Sequence, residues 1–314
     1  MALALGLEKV TSSSMLTYTH FKKIGENEGF KKLDKVILSN FRDLELILNY
    51  NINHNIHFYR LTSKLIPLST HREVIFDYID KYKDYFLKIG KIIKDNNMRV
   101  DSHPDQFCVL NSTNSDIVES SIDIIKYHKD IFNAMKINGK IILHIGSSKE
   151  GKKNSIDRFI KSFSFLDKET RDTIILENDD KIFNAYDTLK LCNKLGIPMV
   201  LDYHHHLCNR TSKNFKYLIK EIFKTWDNDE LVPKIHFSSP KSDLKKEIRA
   251  HHDYINEKEF IKFINKIKFI NKNFDIMIEA KKKDIALFRL IDELKQRNLY
   301  EWIDETSFKI KKEI

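Results

Sequence analysis

Histidine and carboxylate side chains stand at the ends of short apolar runs throughout this 314-residue chain. In "VLDYHHHLCNR", at 200–210, an apolar run ends at Asp202 and three histidines follow. Other runs end in the same residue types, at His103, His144, Glu177, His236 and Glu279. Imidazoles and carboxylates that converge are costly to bury unless they are paired or coordinate cations. The pattern therefore predicts a metal site.

The donor set indicates which ions we expect. Three carboxylates together with several neutral imidazoles exceed what one tetrahedral ion uses, so we expect two to three divalent ions that share bridging carboxylates. Mixed nitrogen and oxygen donors without thiolate suit Mn²⁺, Zn²⁺ or Mg²⁺ and do not choose among them. We expect Mn²⁺ as the bound ion, with Zn²⁺, Mg²⁺ and Co²⁺ as alternatives. Neighbouring divalent ions are typical of phosphodiester hydrolysis, in which they activate water and neutralise the developing charge.

The three consecutive histidines cannot all bind one ion, because neighbours in an extended segment point to opposite sides. We choose His205 as the ligand, since the spacing Asp202-x-x-His205 lets the imidazole reach back from the loop. We expect His204 and His206 to pack or to contact the groups behind the ligands.

The elements that must position these groups alternate along the chain. Eight apolar, β-branched runs, at 2–7, 56–61, 98–103, 140–145, 173–178, 198–203, 233–238 and 276–281, read as strands. Helical spacing separates them, for example at 117–135 and 254–270. This alternation predicts an α/β fold, a single-domain (β/α)8 barrel over 1–314, with a doubly wound open sheet as the alternative. In such barrels the catalytic groups lie at the carboxyl ends of the strands, so we expect the metal site there.

Composition narrows the class of protein. The net charge of +9 favours a polyanionic partner such as nucleic acid. Three scattered cysteines argue against a disulfide framework. No run is long and apolar enough for a membrane span or a secretory signal. We therefore expect a cytoplasmic protein, acting as a monomer, with no membrane partner.

Several segments together resemble the UV-damage endonuclease family, which is related in architecture to endonuclease IV. The resemblance runs from about residue 30 to 295 and rests on "LIPLSTH" (65–71), "SHPDQF" (102–107), "LENDDK" (176–181), "LDYHHH" (201–206), "KIHFSSPKS" (234–242), "RAHHDYI" (249–255) and "MIEAKKKD" (277–284). It implies a DNA repair nuclease, a metal-dependent hydrolase with a (β/α)8 barrel. Such an enzyme cuts damaged duplex DNA immediately 5′ to ultraviolet photoproducts, both cyclobutane dimers and 6-4 photoproducts, and leaves a 3′ hydroxyl and a 5′ phosphate.

The resemblance also implies a ligand set. One ion would be held by His103, His144 and Glu177, and a second by Glu177, Asp202, His236 and Glu279. A third would take His205 and His251, with His251 rather than His252 in the ligand position. Lys234 would face the same site, either carboxylated, as in this family, or bound to a DNA phosphate. The catalytic residues would then be Glu177, Lys234, His236 and Glu279.

The resemblance further implies contacts with the lesion and the DNA. Gln106 and Phe107 match the family's dipeptide that wedges into the duplex opposite the damage, although Phe107 could instead be a core residue under its loop. His71 matches a family histidine near the site, and whether it touches metal or lesion stays open. Leu7 stands where some relatives carry an aromatic residue. We expect phosphate contacts from Lys241 and Lys281, within a basic group that also includes Lys245, Lys246, Arg249, Lys282 and Lys283.

Three other functions stay open. An abasic-site endonuclease of the endonuclease IV type would share the fold and the metals. A divalent-metal sugar isomerase or epimerase would share the acidic and histidine residues, but it needs neither a basic rim nor the "HPDQF" loop. A DNA-binding barrel without activity could retain the metals for structure.

Overall fold

The computed structural model describes residues 13–211, 214–242, 244 and 246–311. Seven strands form one parallel sheet, and they follow one another in chain order. These strands are β1 (Phe58–Leu61), β2 (Arg99–Ser102), β3 (Lys140–His144), β4 (Ile174–Glu177), β5 (Met199–Asp202), β6 (Lys234–Phe237) and β7 (Asp275–Ile278). A doubly wound sheet reverses its strand order at a switch point. The sequential order therefore favours the predicted barrel topology over the open-sheet alternative.

Helices alternate with these strands. They are α1 (Tyr18–Ile24), α2 (Glu26–Asn53), α3 (Tyr78–Lys81), α4 (Lys83–Asp95), α5 (Ser115–Met135), α6 (Lys152–Ser164), α7 (Lys168–Thr173), α8 (Ala185–Leu195), α9 (Tyr203–Cys208), α10 (Phe215–Lys224), α11 (Glu257–Ile267) and α12 (Lys283–Gln296). A single 3₁₀ turn, Lys268–Ile270, extends α11. The helical patterns predicted at 117–135 and 254–270 correspond to α5 and to α11 with its 3₁₀ turn. Among the described residues, no helix combines the length and apolar character needed to cross a bilayer.

Six of the eight predicted strand runs contain an observed strand, and a seventh, 276–281, overlaps β7, which begins one residue earlier. The remaining run, 2–7 with Leu7, lies outside the described residues. The sequence patterns did not predict an antiparallel hairpin near the carboxyl end, β8 (Tyr300–Trp302) with β9 (Phe308–Ile310). Its strands have three residues each. Runs this short carry too little alternation to be recognised.

The chain divides into two compact units. The first consists of residues 1–108, 114–141 and 166–173. In it β1 pairs with β2 and β2 with the start of β3, where Ser102 lies opposite Ile141. Helices α4 and α5 pack so closely that a Cβ added at Gly90 would lie 1.8 Å from the Met135 carbonyl oxygen. Glycine at this position is therefore required by the helix contact.

The second unit consists of residues 109–113, 142–165 and 174–314, and it contains the rest of β3 and strands β4 to β7. Ile142, Ile175 and Val200 form a buried apolar cluster with Trp226, whose indole N–H donates to the Met199 carbonyl oxygen at 2.7 Å. Side chains two residues apart on a strand point to the same face. The apolar side chains of this cluster are thus followed, two residues later on the same face, by polar ones.

Candidate metal centre

The polar residues that follow this apolar cluster stand at the carboxyl ends of their strands. His144, Glu177 and Asp202 are the last residues of β3, β4 and β5. His236 is the third residue of β6, and Glu279 directly follows β7. Parallel pairing of β4 through β7 brings these ends to one edge. The second unit therefore gathers residues that the sequence placed up to 135 positions apart, from 144 to 279.

Glu177 and His236 lie at the middle of this cluster. His236 Nδ1 is 3.2 Å from Glu177 Oε2 and 3.3 Å from Glu279 Oε1. One ligand atom each from Glu177, Asp202 and His236 lies within 4.8 Å of the others, and all three residues are buried. A single ion could therefore contact all three without a large rearrangement.

Asp202 positions the next histidine through the backbone. Its Oδ1 accepts a hydrogen bond of 2.7 Å from the His205 N–H, which makes Asp202 the N-cap of α9. This cap turns His205 back toward the strand ends, where its Nδ1 lies 3.4 Å from Glu177 Oε1 and 3.6 Å from Asp202 Oδ2. The Asp-x-x-His spacing in the sequence is thus an N-capping arrangement.

Backbone carbonyls orient two of the imidazoles. His144 Nδ1 lies 3.3 Å from the Glu177 carbonyl oxygen, and His205 Nδ1 lies 3.0 Å from that of Asn178. A neutral imidazole that donates from Nδ1 keeps its lone pair on Nε2, the arrangement found in metal-binding histidines.

Asn178 is a positioning residue that sequence reasoning missed. Its amide is completely buried; it donates to the Asp202 carbonyl oxygen and accepts from the Asp202 N–H, both at 3.0 Å. These bonds tie the end of β4 to the end of β5. The signal available in the sequence was an asparagine directly after Glu177 in "LEND".

A loop after β6 brings His251 to the cluster. Pro240 and His251 form an isolated antiparallel bridge, and His251 Nδ1 lies 3.8 Å from Glu279 Oε2. The rings of His205 and His251 are 6.2 Å apart, and His204 meets His251 edge to face at 5.6 Å. His252 instead contacts its own loop, since its Nδ1 accepts from the Tyr254 N–H at 2.9 Å.

The carboxylates of the cluster carry negative charge that favours a bound cation. Burial raises the pKa of the Asp202 carboxyl well above its usual range, and the carboxylates of Glu177 and Glu279 add to that rise. Burial opposes a charge on His205, but the carboxylates of Asp202 and Glu177 outweigh it and raise the pKa of His205 to about 10. Protons thus compensate for excess negative charge where no cation is bound.

The donor chemistry fits divalent ions. Asp202 Oδ2 is buried and has no hydrogen-bond partner among the described residues. The candidate ligand groups among the described residues contain carboxylates and imidazoles but no cysteine. Such donors are suited to Mn²⁺, Zn²⁺ or Mg²⁺. The second unit therefore offers a ligand set consistent with the predicted metals.

Other expected site residues belong to the first unit. His103 follows β2, and His71 stacks on Tyr18 with ring centroids 3.9 Å apart. Gln106 and Phe107 lie in the loop after β2, where Asp105 Oδ1 accepts from the Phe107 N–H at 2.9 Å. Phe107 is 71% exposed, so the alternative that it is a core residue is wrong.

The expected basic residues differ in their surroundings. Lys234 is 1% exposed on β6, on the same face as His236. Lys241 is ion-paired with Glu247, and Arg249 lies 3.3 Å from Asp180. Lys281 is exposed, whereas Lys245 lies outside the described residues.

Comparisons with known proteins show which family this chain belongs to. The sequence model of the family described as UV-endonuclease UvdE matches residues 1–309. A UV DNA damage endonuclease of Bacillus cereus (strain G9842) is 42% identical over 294 residues, 93% of this chain and 92% of the relative. The crystal structure of SacUVDE has a TM-score of 0.81 at 33% identity and covers 91% of this chain and 93% of its own.

A more distant structure shares the fold alone. Endonuclease IV from Thermus thermophilus has a TM-score of 0.56 at 11% identity, covering 81% of this chain and 94% of that one. The likeness to SacUVDE confirms the predicted (β/α)-barrel fold. With the family match over 1–309 and a relative at 42% identity, the resemblance noted in the sequence is confirmed, and the chain belongs to the UV-endonuclease UvdE family.

Proposed function

We propose that this chain hydrolyses the phosphodiester bond immediately 5′ to ultraviolet photoproducts in duplex DNA, leaving a 3′ hydroxyl and a 5′ phosphate. Cyclobutane dimers and 6-4 photoproducts would both be substrates. Membership of a family of DNA repair endonucleases supports this proposal. The observation that carries the chemistry is the buried group of Glu177, Asp202 and His236, whose ligand atoms converge within 4.8 Å.

Two to three divalent ions, Mn²⁺ foremost, would be held by this cluster. We assign Glu177, Asp202, His236 and Glu279 to one ion, and His205 and His251 to another. His144 and Glu177 would hold a further ion together with His103. When bound, such ions activate water and neutralise the charge on phosphate oxygens.

The protein's own groups hold that arrangement. Carbonyl oxygens fix the rings of His144 and His205, and the Asn178 amide fixes the backbone of Asp202. We assign Lys234 a catalytic role beside Glu177, His236 and Glu279. Because its side chain is 1% exposed, direct contact with a DNA backbone is disfavoured. We therefore propose the carboxylated form, an anion that bound cations would stabilise.

DNA recognition would fall to exposed groups. We propose that Gln106 and Phe107 enter the duplex opposite the lesion, where an apolar ring replaces lost stacking and an amide offers hydrogen bonds. The exposure of Phe107 supports this role. Lys241 and Lys281 would contact phosphates, and His71 would lie near the lesion or the metals.

The remaining assignments concern the whole chain. We propose that residues 1–314 act as one barrel domain, as a monomer, in the cytoplasm. Light scattering of the purified protein with and without a lesion-bearing duplex would measure the number of chains in the complex.

A nicking assay tests the proposed function. Duplexes with one cyclobutane dimer, one 6-4 photoproduct, one abasic analogue or no damage are incubated with wild type, Glu177→Gln and the surface control Glu169→Gln. We expect incision 5′ to both photoproducts, with ends that a polymerase can extend. Glu177→Gln should lose about 100-fold or more, since even groups behind the ligands contribute 10–100-fold. Elemental analysis of each protein measures the metals.

Three results would contradict the proposal. Preferred cutting of the abasic analogue would indicate an activity of the endonuclease IV type. Full activity of Glu177→Gln with lowered thermal stability would assign the metals a structural role. Absence of nicking on every duplex would contradict the nuclease function and would favour the sugar isomerase alternative.

A further inference from the structure

A cavity lies beside α9, lined by residues of that helix other than His205, which faces the candidate metal centre. Its volume is about 640 Å³, within the range of about 300–1,000 Å³ typical of small-molecule sites. Residues of α9, α10 and α11, with the segments that follow α9 and α11, line it. Those that carry the argument are Tyr203, His206, Arg210, Lys216, Lys266 and Phe269.

The lining is strongly cationic. Arg210, Lys216, Lys266 and Lys268 all border the cavity, and none of its described lining residues is an aspartate or a glutamate. Helix α10 also begins here, because its N-cap Asn214 lines the same space and accepts from the Lys216 N–H at 2.9 Å. Four cations and a helix amino terminus favour an anion such as a phosphate.

Aromatic rings make up the rest of the wall. Phe269 is 40% exposed, and the Lys216 ammonium lies 5.0 Å from its ring centroid. Lys266 Nζ donates to the Tyr203 hydroxyl at 3.0 Å, and the ring of Phe215 also lines the cavity. Exposed rings among cations can stack a planar base, as they do in proteins that bind single-stranded nucleic acid.

His206 is a buried polar side chain in the same wall. It lines the cavity, is 6% exposed, and its Nδ1 has no hydrogen-bond partner within the described part of the chain. Its ring lies 5.3 Å from that of Phe215. Nδ1 itself exposes almost no surface, so a ligand in the cavity would reach the ring at its other edge. The preceding residue, His205, faces the carboxylates, so successive residues of α9 have different surroundings.

We propose that this cavity binds one nucleotide. The phosphate contacts the lysines, Arg210 and the α10 amino terminus, while the base stacks on Phe269 and Phe215 and bonds to His206. The nucleotide is either a free nucleoside monophosphate or one unit of a bound DNA strand. The proposal goes beyond incision and needs no metal.

Two variants of equal charge test the proposal. Lys216→Glu/Lys268→Glu reverses two charges at the cavity, and Lys220→Glu/Lys262→Glu reverses two exposed charges on α10 and α11 outside its lining. Calorimetry measures the Kd for deoxyadenosine monophosphate, deoxyadenosine and inorganic phosphate. A thermal melt of each variant checks that it is folded.

We expect deoxyadenosine monophosphate to bind wild type and the Lys220/Lys262 variant alike, and the cavity variant about 10-fold more weakly, because charge-assisted bonds to phosphate are lost. Nucleoside and phosphate alone should each bind about 10-fold more weakly than the nucleotide, since each satisfies half of the site. His206→Phe should weaken nucleotide binding while leaving phosphate binding unchanged.

Binding of duplex DNA to the same variants distinguishes a free nucleotide from one unit of a DNA strand. If the cavity variant also binds irradiated duplex more weakly than its control, the occupant is a unit of the DNA strand. If duplex binding is unchanged while mononucleotide binding falls, the occupant is a free nucleotide. Equal nucleotide Kd in both charge variants, phosphate binding as tight as nucleotide binding, or no binding at millimolar concentration would overturn the proposal. Loss of nicking in the assay above would leave these results unaffected.

Discussion

Asp202 contacts His205 twice, through a hydrogen bond of 2.7 Å from the His205 N–H to Oδ1 and through an approach of 3.6 Å between Oδ2 and Nδ1. The first contact caps α9, and the second belongs to the candidate metal centre. Asp202→Asn separates the two, because an asparagine still caps a helix but carries no charge. The buried carboxylate is unfavourable beside other carboxylates and favourable beside a cation.

We therefore expect Asp202→Asn to melt at the same or a higher temperature than wild type in a chelator, and at a lower temperature in Mn²⁺. Thermal unfolding under both conditions measures this reversal. Asp77→Asn is the matched control, because Asp77 is an exposed N-cap that accepts from the Asp80 N–H at 3.0 Å. A variant at Asp202 that ranked the same way against wild type in both conditions would remove Asp202 from the metal site.

Asn178 should contribute to metal affinity although it is not an expected ligand. Asn178→Ala removes both 3.0 Å bonds to the Asp202 backbone, which releases the strand end that carries a ligand. We expect a loss of about 2–3 kcal/mol in the free energy of unfolding and a 10–100-fold weaker Mn²⁺ affinity. Denaturation in chelator and Mn²⁺ titration measure the two effects.

Asn111→Ala is the control for this prediction. Asn111 is equally buried and makes the same pair of bonds to the Ser147 backbone, at 2.7 and 2.9 Å. It should lose stability to a similar extent while retaining Mn²⁺ affinity. Equal losses of affinity in both variants would show that Asn178 acts only through general stability.

The sequence predicted those parts of the site that depend on strand periodicity. Glu177 and Asp202 could be recognised because each ends a buried run, and a parallel sheet brings such ends together. Asn178 stands directly after Glu177 in the sequence, but its role could not be recognised from that position, since the role depends on which strand pairs beside β4. The pairing of Lys241 with Glu247 and the bridge of His251 to Pro240 depend likewise on the path of a loop. Loop paths are set by tertiary contacts that residue spacing does not encode.

Gln106 and Phe107 should control discrimination between damaged and intact DNA. Replacing both with glycine removes a ring that is 71% exposed, and with it stacking worth about 1–3 kcal/mol. We expect the ratio of incision rates on dimer-containing and undamaged duplex to fall about 10-fold or more, with unchanged metal content. Phe165→Gly, at a ring 64% exposed on α6's carboxyl end, is the control. An unaltered ratio in the double variant would show that Gln106 and Phe107 do not recognise damage by entering the duplex.

Lys234 should carry a carbamate. A deprotonated amine adds CO₂ with release of a proton, and the product is an anion that suits neighbouring cations better than an ammonium does. Protein equilibrated with ¹³C-bicarbonate should therefore show a carbamate carbon resonance that Lys234→Met lacks. Lys140→Met is the control, because Lys140 is 5% exposed and donates to the Asp172 carbonyl oxygen at 3.0 Å. A spectrum of Lys234→Met identical to that of wild type would refute the modification.

His128 should make the fold sensitive to acid. It is completely buried, with Nε2 3.1 Å from Ser63 Oγ, and burial followed by the charge of His103 lowers the pKa of His128 to about 3. In the unfolded chain the pKa of His128 has its ordinary value of about 6.5. Between about pH 6.5 and pH 3 the unfolded chain therefore binds a proton at His128 and the folded state does not. The contribution to stability is therefore complete above about pH 6.5 and is lost as the pH falls toward 3.

At pH 5 the loss should reach about 2 kcal/mol, which is 1.5 pH units at 1.36 kcal/mol each. His128→Gln can still meet Ser63 but does not titrate. Its free energy of unfolding should fall about 2 kcal/mol less than that of wild type between pH 7.5 and pH 5 in urea. His204 and His206, whose pKa values burial lowers to about 4, keep titrating in both proteins and cancel in the comparison. His57→Gln, at an exposed histidine, should follow wild type. Parallel pH curves for wild type and His128→Gln would show that the His128 ring gains a proton as readily in the folded state as in the unfolded chain.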